Sequence, residues 1–240
     1  FVGYFWVLFF ISWLEKRKLL EYSFQTYLSL LFPGFLIMLV GGKTFYILFY
    51  NLAHYLNQPG DILAIWQGGM SFHGALIASA LWILYYAKKK SLNFWKLTDP
   101  ICVAVSLNIF IGRIANFING ELAGRVSDVA WAVVFPRFYD SSPRHPSQIY
   151  EALLEGLFLF VVLFWLRGKL VTRPSFLTAC FLLGYGTSRF FVEFFRMPDP
   201  QIGYLLEYFT VGQVYCLGMV LCALIIFLKK DKHLRPLSNR

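Results

Sequence analysis

The chain has 240 residues, of which 58% are apolar, 20% aromatic (26 of them Phe) and only 15% charged. A soluble domain carries about 25% charged residues, so this composition excludes a soluble globular domain, disorder, a coiled coil and collagen. It leaves a polytopic membrane protein. The formal charge is +9, from 22 Lys and Arg against 13 Asp and Glu. Most of that excess falls in loops, so it speaks for membrane orientation and against a nucleic-acid partner.

Seven apolar segments predict seven transmembrane helices, at 1–14, 30–52, 69–87, 98–118, 148–166, 175–195 and 207–228. A span needs roughly 20 residues. The first segment is short and the chain opens on Phe1, which reads as a trimmed N-terminus inside the first helix. A basic segment followed by a small-residue cleavage site is lacking there, so it is not read as a signal peptide. The stretch 15–29, the loops 88–97 and 167–174 and the C-terminal tail carry fifteen Lys and Arg. The opposite side carries six, all Arg: Arg113, Arg125, Arg137, Arg144, Arg189 and Arg196. The positive-inside rule then places the N-terminus outside and the C-terminus in the cytoplasm. Arginine presents a planar fork of donors that suits phosphate.

The expected architecture is an all-α integral membrane protein, one transmembrane domain over 1–240. The residues 119–147 form a longer outer-face loop or head between helices four and five. Within it, Trp131–Phe135 (WAVVF) reads as a short strand. Cys102, Cys180, Cys216 and Cys222 lie in apolar segments without metal-ligand spacing and read as buried small apolar side chains. No metal site is expected.

Ionisable residues inside a span are costly and mark function by default. With this topology, four helices raise polar residues at one membrane level. His73 lies at the outer end of helix three, and Arg113, Asn116, Asn119 and Glu121 at that of helix four. Arg144, His145, Gln148, Tyr150 and Glu151 stand at the mouth of helix five, with Glu155 a turn deeper. Arg189, Glu193 and Arg196 end helix six, spaced i, i+4 and i+7 on one face. Packing roles compete: that trio serves equally as a salt-bridge ladder, and Arg113 could snorkel to the interface. Lys43 follows Gly41-Gly42 inside helix two and calls for a carboxylate or a lipid headgroup. Asp99-Pro100 reads as the capped start of helix four. From the residues alone, two readings stand: an enzyme acting on an anionic lipid headgroup, or a polytopic protein that binds or moves such a lipid without catalysis.

Four motifs go further. Gly112-Arg113-Ile114-Ala115-Asn116-Phe117-Ile118-Asn119-Gly120-Glu121-Leu122-Ala123-Gly124 resembles the signature of bacterial prolipoprotein diacylglyceryl transferases. Gly69–Gly74 (GMSFHG), Arg144–Glu151 (RHPSQIYE) and Tyr185–Arg196 (YGTSRFFVEFFR) each resemble a motif of the same family, in the family's order. The resemblance implies transfer of the diacylglyceryl group of phosphatidylglycerol to the lipobox cysteine of a prolipoprotein signal peptide. It implies a multi-pass enzyme of the bacterial cytoplasmic membrane, with its site toward the outer leaflet and no cofactor. It also implies roles. Arg113 and Arg189 clamp the phosphate, His73 acts as base, and Asn116 and Asn119 bind the headgroup. Glu121 orients an arginine or the headgroup glycerol. Gly124 allows close approach, Tyr185 lines the cavity, and Glu193 and Arg196 hold Arg189. Lys43 and Ala123 depart from the family pattern, which has Arg and commonly Trp there.

Overall fold

The computed structural model describes residues 2–64, 68–137, 139–197, 204–205 and 209–230; the side chains of Phe72, His73, Tyr204, Leu205, Phe209, Val211 and Lys230 also lie outside that description. In chain order the helices are α1 (Val2–Lys16), α2 (Phe24–Tyr50), a short α3 (Leu52–Asn57), α4 (Phe72–Lys89), α5 (Phe94–Asn119), α6 (Ser147–Thr172), α7 (Phe176–Val192) and α8 (Val211–Lys230). Each of the seven apolar segments overlaps one of these helices over its described residues. Among the described residues, four helices are long and apolar enough to cross a membrane: α2, α5, α6 and the Gly212–Lys229 stretch of α8. The α7 helix is apolar but shorter. The two described strands, β1 (Tyr204–Leu205) and β2 (Phe209–Thr210), form an antiparallel pair.

The chain divides into two compact units, residues 21–97 and residues 1–20 with 98–240. In the first of these, α2 and α4 pack through small residues. Gly41 faces Ala78, Gly74 faces Phe45, and the Ser71 N–H donates to the Gly42 carbonyl at 3.0 Å. Small residues let helix backbones approach where the solvent is as apolar as the side chains. Ser71 caps α4, its hydroxyl accepting from the Gly74 N–H at 3.4 Å.

In the second unit, α1 lies along α5 and α6. The Trp6 indole donates to the Ala104 carbonyl at 3.0 Å, and Phe10 and Trp13 meet Phe160 and Phe164 of α6. Glycines again set the contacts: Gly156 of α6 lies on the Phe110 backbone of α5, and Gly186 of α7 on Cys216 of α8.

Four expectations change. First, α5 begins at Phe94, earlier than Asp99-Pro100 suggests. Its cap is Asn93, whose side-chain oxygen accepts from the N–H groups of Trp95 (2.9 Å) and Lys96 (3.3 Å). Pro100 sits inside the helix and cannot bond the Lys96 carbonyl one turn back; the buried Tyr27 hydroxyl takes that carbonyl at 2.9 Å. Asp99 is buried and caps a neighbour instead, accepting from the Thr178 N–H in the first turn of α7 at 2.8 Å. Second, Trp131–Phe135 is not a strand; Val133 alone makes an isolated bridge, to Arg144, and a turn at Ala130-Trp131 and another at Pro136-Arg137 bound the segment. Third, of the two partners expected for Lys43, a carboxylate or a lipid headgroup, the carboxylate is not found among the described residues, where Lys43 is buried. Its ammonium donates to the Tyr55 hydroxyl at 3.1 Å and the Gly68 carbonyl at 3.4 Å, and stands 5.0 Å from the Tyr55 ring centre. Fourth, Cys216 is buried, Cys102 and Cys180 half-buried, and Cys222 exposed on the outside of α8.

Candidate functional site

The α5 helix delivers Arg113 and Asn116 and then stops sharply. Gly120 takes φ +78°, the Gly120 N–H bonds the Phe117 carbonyl (3.0 Å) and the Glu121 N–H bonds the Asn116 carbonyl (3.1 Å). That paired closure is a Schellman motif, which needs a residue tolerant of the left-handed region. It folds Glu121 back onto its own helix end, where its carboxylate accepts from the Asn116 amide at 2.8 Å and the Asn119 amide at 3.4 Å. Glu121 therefore pairs with asparagines; its described contacts include no arginine. The Gln148 amide at the start of α6 holds the Glu121 carbonyl at 2.7 Å.

Beyond the turn, the backbone of the head makes isolated bridges, Gly124 with Arg196 and both Val126 and Val133 with Arg144. The Gly124 N–H bonds the His145 carbonyl (2.9 Å), the His145 N–H the Arg125 carbonyl (3.0 Å), and the Arg125 N–H the Phe195 carbonyl (3.0 Å). A Cβ on Gly124 would come within 2.5 Å of the Phe195 carbonyl and 2.7 Å of the His145 carbonyl. The close approach that Gly124 permits is thus between backbones. Arg144 belongs to this layer, bonded to Asp140 (3.1 Å) and lying over the Tyr139 ring. Asp140 is exposed; the Ser142 backbone N–H and then Arg144 hold its carboxyl below the usual range.

The cluster itself centres on α6. Glu151 has no exposed side-chain surface, and three arginines reach it. Arg113 Nε lies 2.7 Å and Arg189 Nη1 3.0 Å from its Oε2, and Arg196 Nη1 lies 2.6 Å from its Oε1. Glu193 supports two of them, at 3.2 Å from Arg189 Nη2 and 3.5 Å from Arg196 Nε. Its other oxygen accepts from the Thr210 hydroxyl at 3.1 Å. Thr210 and Gln213 form a reciprocal capping box at the start of α8, so the cluster is anchored to a fixed helix end. Tyr185, one turn before Arg189, is buried, stacks on Phe181, and lies in the field of Glu155, Arg189 and Arg113.

The carboxylates are buried while the arginine side chains keep 12–20% of their surface accessible. Each guanidinium carries five N–H donors, more than these contacts take up. Donor sets of this kind are chemically suited to an anion with several acceptor oxygens, such as a phosphate. Among the described residues there is no group of His, Cys, Asp and Glu spaced for a metal.

Of the residues singled out in the sequence, the fold brings Arg113, Tyr185, Arg189, Glu193 and Arg196 into one cluster. Asn116, Asn119 and Glu121 form a second group at the end of α5, and Gly124 sits in the head layer. The ladder and the cluster coexist: Arg196 touches Glu151 directly instead of only bracing Arg189. His73 lies in the first turn of α4, and its side chain falls outside the described residues. Glu151 and Glu155 are the functional candidates that the sequence reading left out of its site. Two carboxylates at i, i+4 in an otherwise apolar span were the available signal. They lie where α6 loosens into a π-helical stretch (Ala152–Phe158), a local widening often found at functional positions.

A family profile described as prolipoprotein diacylglyceryl transferase matches residues 1–229. The phosphatidylglycerol–prolipoprotein diacylglyceryl transferase of Brucella anthropi is 47% identical over 190 residues, covering 78% of this chain and 67% of the relative. Those of Rhizobium meliloti and Sinorhizobium medicae are each 49% identical over 187 residues, covering 77% of this chain and 66% of the relative. The chain spans about two thirds of the length of these relatives. A profile match over nearly its whole length, with relatives close to half identical, establishes that the chain belongs to the prolipoprotein diacylglyceryl transferase family.

Proposed function

We propose that the chain transfers the diacylglyceryl group of phosphatidylglycerol to the lipobox cysteine of a prolipoprotein. The cysteine sulfur forms a bond to the terminal glyceryl carbon of the lipid. The carbon–oxygen bond to phosphate breaks, glycerol-1-phosphate leaves, and the thiol proton passes to a base. The observation that carries this reading is the convergence of Arg113, Arg189 and Arg196 on the buried Glu151 carboxylate. A leaving phosphate gains charge, and fixed donors around it lower the barrier. An ordinary thiol ionises near pH 8.5, so thiolate formation needs a base or a positive field. Arg113 and Arg189 clamp the phosphate, with Glu193 and Arg196 fixing their geometry and Tyr185 lining the site. Asn116, Asn119 and Glu121 bind the headgroup glycerol, and Gly124 allows the head backbone its close approach to His145 and Phe195. His73 is assigned the base on its motif.

The proposed setting is the bacterial cytoplasmic membrane. A single domain of seven spans has its N-terminus outside, its C-terminus in the cytoplasm, the head 119–147 on the outer face and the site toward the outer leaflet. The six outer arginines against fifteen basic residues on the other side support that orientation.

The test is a mass assay with phosphatidylglycerol and a lipobox peptide, beside the same peptide with Cys→Ser. A diacylglyceryl gain on the Cys peptide alone, with glycerol phosphate released, is the expected result. Bound lipid without transfer would favour a non-catalytic lipid-binding protein.

A further inference from the structure

Glu155 stands one helical turn from Glu151 and is equally buried. Unlike Glu151, neither of its oxygens accepts a hydrogen bond from the described residues. Its nearest cation is Arg189, whose Nη1 lies 3.7 Å from Oε1. Glu151 on its own helix, Arg113 on α5, Tyr185 and Arg189 on α7, Arg196 just beyond α7 and Cys216 on α8 also face it; Glu193 reaches it through Arg189.

With every group ionised, the charges of this cluster cancel. Arg113, Arg189 and Arg196 supply three positive charges. Glu151, Glu155 and Glu193 can supply three negative ones. A phosphodiester adds one negative charge, and the phosphate monoester that leaves adds a second. Buried charge without a counter-charge is strongly unfavourable. Glu151 and Glu193 accept ion pairs or hydrogen bonds at 2.6–3.2 Å and are held as anions. Glu155 has no donor to compensate its burial, so its charge is the least costly to give up.

We propose that Glu155 takes up a proton when a phosphate enters the arginine cluster, and so sets the charge of the site. This rests on the proposed function. Glu155 is a positioning residue: it acts through Arg189 and the other arginines, not by touching the lipid. Loss of its negative charge frees the guanidiniums to balance the phosphate, first as diester and then as the leaving monoester.

The experiment is binding of short-chain phosphatidylglycerol to the purified full chain in a neutral detergent, measured across pH. Uptake of one proton on binding weakens affinity about tenfold per pH unit wherever the empty site holds Glu155 ionised. A weakly buffered solution with a pH indicator should record one proton taken up per lipid bound. Glu155→Gln should bind with a flat profile at the level the unaltered chain reaches at its acidic limit; Glu155→Asp should restore the slope. A packing role alone would weaken binding in Glu155→Gln at every pH and leave the slope intact, which overturns the proposal. A flat profile in the unaltered chain overturns it too, and that measurement does not depend on the variants folding. Transfer to the lipobox peptide is assayed on the same preparation. Transfer without proton uptake refutes the role of Glu155 and leaves the transferase standing; absence of both lipid binding and transfer refutes both.

Discussion

Arg113 Nε lies 2.7 Å from Glu151 Oε2 and joins α5 to α6; Arg189 reaches the same oxygen from α7 at 3.0 Å. One buried carboxylate oxygen thus ties three helices together. Removing it leaves three guanidiniums facing one another around an uncharged amide. Breaking a buried ion pair from one side costs about 3–5 kcal/mol. Glu151→Gln should lower the melting temperature accordingly and abolish transfer. A variant with an unchanged melting temperature would show that the cluster is not held by this residue.

Arg113 and Arg189 contribute more than charge. A guanidinium offers donors in a fixed plane, and lysine offers a point charge on a flexible stem. Arg113→Lys should therefore fold, since an ammonium can still pair with Glu151, yet lose transfer. The loss expected from one misplaced donor at a developing anion is about 10²–10³-fold. The mass assay at saturating phosphatidylglycerol reads it directly, and a rate near that of the unaltered chain would rule out the clamp.

The positions of the helices were legible in the sequence because apolar runs and polar loops separate cleanly in this composition. Arg113, Arg189, Glu193 and Arg196 were legible as well, because ionisable residues in apolar spans are rare. Pairing was not legible. Glu151 was visible as a polar residue at a helix mouth, but nothing in its spacing says that three arginines from beyond two other segments converge on it. Asp99 shows the same limit: Asp-Pro reads locally as a helix start, and only the α5–α7 contact turns it into a cap for Thr178. Lys43 called for a carboxylate or a lipid headgroup, and its described partners are a phenol on α3 and a carbonyl in the loop after it, neither of which its own helix reveals.

Two glycines of one motif should answer oppositely to alanine. Gly124 is hemmed by the Phe195 and His145 carbonyls at 2.5 and 2.7 Å from a built Cβ, and its φ is not positive, so the conflict is steric. Overpacking of this kind costs about 1–3 kcal/mol. Gly124→Ala should lower the melting temperature and displace the head layer. Gly112 has nothing within 4 Å of a built Cβ and lies inside α5. Gly112→Ala should be neutral or gain about 0.5–1 kcal/mol from helix propensity. Equal melting temperatures for the two variants would refute the packing argument.

Thr178 separates stability from chemistry. Its N–H and its hydroxyl both donate to Asp99 Oδ1, and its hydroxyl also meets Thr98 at 2.9 Å. Thr178→Val keeps the volume and the backbone bond but removes a buried hydroxyl from a carboxylate. A hydrogen bond to a charged group is worth about 1.5–3 kcal/mol, so the melting temperature should fall measurably. Thr178→Ser should retain most of the stability. Thr178 and Arg189 lie on the same helix, about 16 Å apart along its axis at the usual helical rise. Transfer at a temperature well below melting should therefore change less than about twofold, because such a distance exceeds the range over which separate sites couple strongly. A large loss of transfer with an unchanged melting temperature would mean that this end of α7 takes part in the reaction.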